Sequence, residues 1–288
     1  MKRNLLSIND LTKADIEKIF KLTDKLKGKL TKDLKGKNIA FIFQKPSTRT
    51  KVSFQVAINQ MGGNAISLNW NELQLGRGES VEDTARVLER YVDAIVARVF
   101  SHEDLKKMSI ARVPVINALS DFEHPCQALA DLYTIRQKKN LKGLKIVLLG
   151  DGANNTFHSL IYICKKFGID VLVSCPKNYR PRVKHSVKII ENPKEAVKSA
   201  DVLYTDTWVS MGLENERKKR IKDLKPYQLN KSLLRLAQKN ALVMHPLPAH
   251  RGEEITADVI DGKNSIVLDQ AENRLHVQKA ILYLLMKR

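Results

Sequence analysis

The sequence predicts an α/β protein built from two doubly wound parallel-sheet domains. Short apolar runs rich in β-branched residues recur at 39–43, 94–99, 113–116, 144–149, 170–174, 202–205, 241–244 and 266–268. Helical patterns fall between them at 12–26, 80–91, 126–136, 156–167 and 194–199. Strands that alternate with helices make βαβ units and pair in parallel. A polar break, Arg136-Gln137-Lys138-Lys139-Asn140-Leu141-Lys142-Gly143, falls near mid-chain, where a linker between two such domains belongs. Domains are therefore expected at 1–136 and 137–271, followed by an amphipathic helix at 272–288 that carries Leu275, Ala280, Ile281, Leu284 and Leu285.

Polar groups gather where the apolar runs end. The run Ile39-Ala40-Phe41-Ile42-Phe43 reads as a buried strand, and Val52, Val56, Ala57 and Ile58 carry the spacing of a helix facing a core. Ser47-Thr48-Arg49-Thr50 thus sits where strand becomes helix. A helix start favours acids, because its free N–H groups carry partial positive charge. This one instead has Lys45, Arg49 and Lys51. The segment fits a Ser/Thr cap with solvated basic neighbours, and it fits equally a cradle for the oxygens of a phosphate.

Further along, Arg98 interrupts the run 94–99, either as an edge-strand residue in water or as a ligand contact. In His124-Pro125-Cys126-Gln127, proline suits the first helical position, so His124 is the expected N-cap and Gln127 shares its end of the helix. The alternative for His124 is a cap without chemistry. Gly150-Asp151-Gly152 follows its strand as a dinucleotide-binding loop would, but Asn155 stands where that motif has its third glycine. Asn154-Asn155 with His158-Ser159 reads as a turn and a polar helix start, or as a ligand contact. The segment Asp206-Thr207-Trp208-Val209-Ser210-Met211-Gly212 opens a charged stretch, 207–229, expected to be a long mobile loop of the kind that covers substrates. Two prolines in His245-Pro246-Leu247-Pro248 force extended backbone and leave carbonyls to accept hydrogen bonds. Arg274 heads the last helix, as a surface arginine or a sixth ligand contact.

Composition narrows the class. A chain of 288 residues with 43% hydrophobic content, 13 Gly and 9 Pro is globular rather than disordered or fibrous. No stretch approaches the roughly 20 apolar residues of a membrane span, and no secretory signal is visible, so a cytoplasmic protein is expected. Cys126, Cys164 and Cys175 are odd in number and widely spaced, which argues against disulfides and zinc ribbons. The net charge of +19 raises nucleic acid as a partner. The lysines are scattered, however, and no nucleic-acid motif or stacking platform accompanies them, so solvated helix faces that steer small anions are the preferred reading.

Ser-Thr-Arg-Thr-Lys-Val-Ser-Phe at 47–54, His-Pro-Cys-Gln-Ala-Leu-Ala-Asp at 124–131 and His-Pro-Leu-Pro at 245–248 give the chain its closest likeness. In this order and at these separations they make it resemble the aspartate/ornithine carbamoyltransferase family over nearly its whole length. Asn154-Asn155 and Asp-x-Trp-x-Ser-Met-Gly at 206–212 look like the ornithine branch.

The resemblance implies carbamoyl transfer from carbamoyl phosphate to the δ-amine of ornithine. It implies a carbamoyl phosphate-binding domain at 1–136, with helix 272–288 packing back on it, and an ornithine-binding domain at 137–271. It further implies that Ser47, Thr48, Arg49 and Thr50 hold the phosphate, with Gln74 supplied by a neighbouring subunit of a homotrimer. Arg98, His124, Pro125, Cys126, Gln127 and Arg274 would surround the carbamoyl group, with Arg49, Arg98, His124 and Gln127 as the catalytic set. Pro246 and Leu247 would accept hydrogen bonds from the carbamoyl amide. Asn155, Asp206, Ser210 and Met211 would hold the amino-acid end of ornithine. No metal, cofactor, membrane or nucleic acid is implied. The ornithine branch reads His-Cys-Leu-Pro where this chain has His245-Pro246-Leu247-Pro248, so transfer to another amine such as aspartate is the alternative within the class. A non-enzymatic polyanion-binding protein is the alternative outside it.

Overall fold

The computed structural model describes residues 2–70, 73–183, 186–210 and 212–287. It divides into two compact units, 1–133 with 272–288, and 134–271.

In the first unit, helix α1 (Lys13–Leu26) starts from a capping box between Thr12 and Asp15. Strand β1 (Asn38–Phe43), helix α2 (Thr48–Gln60), strand β2 (Asn64–Asn69), helix α3 (Val81–Leu88), strand β3 (Ala94–Arg98), helix α4 (His102–Met108) and strand β4 (Val115–Leu119) follow. The four strands are parallel and ordered β2-β1-β3-β4. Helix α5 (Pro125–Lys138) ends this series. Strands β1 and β3 are buried on both faces, which is why they read as continuous apolar runs. β2 escaped the sequence reading because it is an edge strand with mostly exposed residues, in the pattern Asn-Ala-Ile-Ser-Leu-Asn.

The second unit repeats the plan with β5 (Lys145–Leu149), α6 (Asn155–Phe167), β6 (Asp170–Ser174), β7 (Lys188–Ile189), α7 (Pro193–Ala196), β8 (Val202–Thr205), α8 (Arg217–Leu224), α9 (Lys231–Leu234), β9 (Leu242–Met244) and α10 (Ala257–Ile260). Its parallel sheet is ordered β7-β6-β5-β8-β9. Val147, Leu149, Leu172, Leu203, Val243 and Val259 pack in its core. Two expectations change here. The apolar run 266–268 is not a strand: Ser265 makes a single bridge to Val243, and helix α11 (Val267–Met286) begins at once. The stretch 207–229 is not an open loop either, since it contains α8 flanked by 3-10 turns at Glu214–Glu216 and Lys225–Tyr227.

Helix α11 returns to the first unit, as expected. Buried Lys279 on α11 reaches the carbonyl of Leu26 at the end of α1 (3.2 Å), that of Lys29, and Gln60 Oε1 at the end of α2 (3.2 Å). A cation on the last carbonyls of a helix complements its dipole. Among the described residues no helix is long and apolar enough to cross a membrane, and all three cysteines are buried thiols outside any disulfide.

Candidate active site

Open α/β sheets bind ligands beyond the carboxyl ends of the strands, where the strand order reverses. In the first sheet that point lies between β1 and β3, whose terminal residues Phe43 and Arg98 are register partners. Two of the sequence-selected segments leave the sheet there. Ser47 is the N-cap of α2, but its side chain makes no capping hydrogen bond and the first turn holds no acid. The cap reading therefore fails on geometry: the hydroxyl stands beside the helix start without closing it. An open cleft of about 380 Å3 lies over this turn, lined by Lys45, Ser47, Thr48, Lys51, Asn69 and Trp70 among others.

Arg98 is 8% exposed, so it is no edge residue in water. The β3–β4 register shifts between Ala97 and Arg98, and such bulges re-aim side chains beside functional sites. Its Nη1 lies 3.5 Å from Ser47 Oγ. Burial and then the guanidiniums of Arg274 and Arg49 pull its pKa down to about 10. Arg274 is also buried, contrary to a surface arginine: Nη2 donates to Thr50 Oγ1 at 2.9 Å and Nη1 donates to Gln127 Oε1. Gln127 Nε2 in turn donates to Asp131 at 2.8 Å. Three arginines are thus gathered around a helix start that is itself positive, an arrangement that costs free energy until an anion binds.

His124 precedes α5, and its carbonyl accepts the first helical bonds from Gln127 and Ala128. Burial first, then Arg274 and Arg98, hold its imidazole well below the ordinary 6.5. It is therefore a neutral donor at physiological pH. The sign for stability follows: as pH falls below 6.5 the unfolded chain takes up a proton that folded His124 refuses, so stability is lost on acidification until the folded pKa is passed. His102 and His276 are shifted the same way by burial. His124→Gln should flatten the decline in Tm between pH 6.5 and 5, as read from melts across that range; an unchanged slope would place the titration elsewhere.

Cys126 is buried with Sγ directed to the Asn117 carbonyl at 3.4 Å, and burial pushes its thiol up to about 12. Pro125 opens α5. Gln74 stands apart, exposed at the start of the 3-10 turn Gln74–Arg77.

The second sheet reverses between β5 and β8, where Leu149 pairs with Thr205. Asn154 caps α6 by accepting from Thr156 N at 2.8 Å, and Asn155 is the first helical residue. Gly150 and Gly152 do not form a free dinucleotide loop. A Cβ on Gly150 would sit 2.9 Å from Trp208 Nε1, and one on Gly152 would sit 2.5 Å from the Tyr179 carbonyl, so the chain's own groups fill the space.

Asp206 follows β8 and is nearly buried. Burial pushes its carboxyl up; His245 and the Thr207 amide, 2.7 Å from Oδ1, oppose this only in part. Such a carboxylate becomes an anion readily once a cation reaches it. Ser210 follows on the same segment, half-buried, and Met211 lies outside the described residues.

His245 is fully buried and shapes the loop after β9. Its Nδ1 accepts from Leu247 N at 2.9 Å, which leaves Nε2 to donate to Glu254 Oε1 at 3.1 Å. Glu254 also accepts from His250 N, and these bonds outweigh its burial to keep the carboxyl low. The loop places Leu247 at φ 57, a conformation costly for a non-glycine residue and found where a loop is held for a purpose. The partnership of His245 with Glu254, nine residues further along, was missed in the sequence.

Residues 3–137 match the Aspartate/ornithine carbamoyltransferase, carbamoyl-P binding domain, and residues 142–285 match the Aspartate/ornithine carbamoyltransferase, Asp/Orn binding domain. The anabolic ornithine carbamoyltransferase of Pyrococcus furiosus is 52% identical, over 99% of this chain and 96% of that protein. A solved ornithine carbamoyltransferase from Pyrococcus furiosus superposes with a TM-score of 0.94 at 50% identity, covering 99% of this chain and 97% of its own. The anabolic enzyme of Campylobacter jejuni does so at 0.94 and 36% identity, covering 100% and 99%. With both domains matched in order and the polar groups gathered at both sheet reversals, the chain belongs to the aspartate/ornithine carbamoyltransferase family.

Proposed function

We propose that this chain is an ornithine carbamoyltransferase, moving the carbamoyl group of carbamoyl phosphate onto the δ-amine of L-ornithine to give L-citrulline and phosphate. The observation that carries the reading is the uncapped, acid-free start of α2 with Arg49, Arg98 and Arg274 gathered about it. Residues 1–136 with 272–288 serve as the carbamoyl phosphate-binding domain and 137–271 as the ornithine-binding domain.

The chemistry needs no covalent enzyme intermediate. The neutral δ-amine attacks the carbonyl carbon, a C–N bond forms, the C–O bond to phosphate breaks, and the amine proton leaves with the phosphate or to solvent. Negative charge builds on the carbonyl oxygen, where Arg98, the neutral imidazole of His124 and the Thr50 hydroxyl act as preorganised donors. Thr50 accepts from Arg274 and so has its own O–H to give. Arg49 and the amides of α2 take the leaving phosphate. Gln127, braced by Asp131 and Arg274, orients the carbamoyl amide with the carbonyls of Pro246 and Leu247. Asn155, Asp206, Ser210 and Met211 hold the amino-acid end, with Asp206 on the α-ammonium. Gln74, exposed on its own chain, completes a neighbour's phosphate site in a homotrimer. The protein acts in the cytoplasm.

Pro246, where the ornithine branch has cysteine, favours a second reading in which another amine such as aspartate is the acceptor. A panel of amines offered with carbamoyl phosphate separates them. Citrulline should dominate; carbamoylaspartate as the main product would overturn the choice of ornithine, and no turnover of carbamoyl phosphate with any amine would overturn the reaction class.

A further inference from the structure

We propose that Arg220 is a positioning residue for ornithine, tying together the two segments that supply its contacts; the inference rests on the ornithine role given above to Asn155, Asp206, Ser210 and Met211. Helix α8 is a run of cations, Arg217, Lys218, Lys219, Arg220 and Lys222, and on composition alone it is a solvated face. Arg220 departs from the run. It is 6% exposed, and each of its three nitrogens donates a hydrogen bond. Nε donates to the carbonyl of Trp208 at 2.7 Å, Nη1 to Glu216 at 3.1 Å and Nη2 to Asp151, while the guanidinium lies 5.0 Å from the ring centre of Tyr179.

The partners explain the role. Trp208 sits in the middle of the segment that carries Asp206 and Ser210, so the bond to its carbonyl fixes the backbone between them. Asp151 opens the turn that leads to Asn155, and its Oδ1 accepts from Ala153 N at 3.0 Å. One planar fork therefore spans both segments. The indole of Trp208, packed on Gly150, closes the same joint from the other side. Lysine cannot replace the fork, because a point ammonium does not present three fixed, divergent donors. Asp151 is deeply buried, and burial pushes its carboxyl up against the pull of Arg220. An isolated buried acid takes up a proton rather than remaining charged, so removing Arg220 unlocks the joint without leaving a bare charge.

The test is steady-state kinetics on Arg220→Gln, Arg220→Lys and Asp151→Asn, varying each substrate in turn, with thermal melts and inhibition by norvaline. Norvaline keeps the amino-acid end of ornithine and lacks the δ-amine. KM for ornithine should rise roughly 10- to 100-fold, as for misplacement by about 1 Å of groups that bind substrate. Norvaline inhibition should weaken in parallel, KM for carbamoyl phosphate should hold, and Arg220→Lys should not rescue. Arg220→Gln combined with Asp151→Asn should be no worse than either alone. Folded variants with an unchanged ornithine KM, or with both KM values raised alike, overturn the positioning role while the wild type still makes citrulline. A wild type inert toward ornithine overturns the underlying reading as well. If Arg220→Gln does not fold, Arg220→Lys and Asp151→Asn decide the matter by the same split.

Discussion

Arg49→Ala should cut citrulline formation by about 100- to 1,000-fold, the usual effect of deleting one preorganised donor at a developing charge, while leaving the unliganded protein at least as stable as the wild type. The two halves of the expectation share one cause. Arg49 adds a positive charge to a helix start that is positive already and stands close enough to Arg98 to depress its pKa, so its removal relieves repulsion within the cluster. Phosphate should therefore raise the Tm of the wild type, by an amount equivalent to about 2.7 kcal/mol at 100 times Kd. The variant should lose most of that gain. Turnover and phosphate-dependent melting of the two proteins check it, and wild-type turnover in Arg49→Ala would sink the phosphate cradle.

Asp206→Asn should have the second largest effect, on the other substrate. Removing the charge opposite a bound α-ammonium costs about 2–5 kcal/mol when the pair is buried, so the ornithine KM should rise by roughly 30-fold or more. Stability should move the other way. Because burial raises the Asp206 carboxyl, the folded chain binds a proton more tightly than the unfolded chain, and stability falls as pH rises from the ordinary 3.8 through the folded value. Asparagine carries no such penalty, so the variant should melt at or above the wild-type temperature at pH 7. A variant with unchanged ornithine KM would remove Asp206 from the site. Together the two substitutions describe charged groups retained for substrate at the expense of stability.

Much of this was legible in the sequence because the sheets are parallel and buried. Runs such as Ile39–Phe43 and Ile146–Leu149 have no solvent face to interrupt them, so they stand out, and the polar clusters at their ends mark the ligand side without any structure. Edge strand β2 did not stand out, since Asn64, Ser67 and Asn69 dilute its pattern. Ile266-Val267-Leu268 misled for the opposite reason: three apolar residues at the start of α11 imitate a short strand. Arg220 was hidden by its neighbours. A guanidinium among lysines reads as one more solvated cation, and only the fold shows that it alone turns inward to Asp151. His245 and Glu254 were both in view, but nine residues of spacing cannot reveal that a loop folds back to join them.

The contact of Lys279 with the carbonyl of Leu26 joins residues 253 positions apart, and all of the second unit is synthesised between them. On the ribosome, domains fold as units in the order in which they emerge. The first domain to emerge here is consequently the last to be completed: its opening helices wait for α11 to bring Lys279 to the end of α1 and Arg274 to Thr50. Competence for the anion thus arrives only after the amino-acid half has been made, and a ribosome stalled just before Arg274 would hold a nascent chain with every residue of the second unit made and no complete arginine cluster.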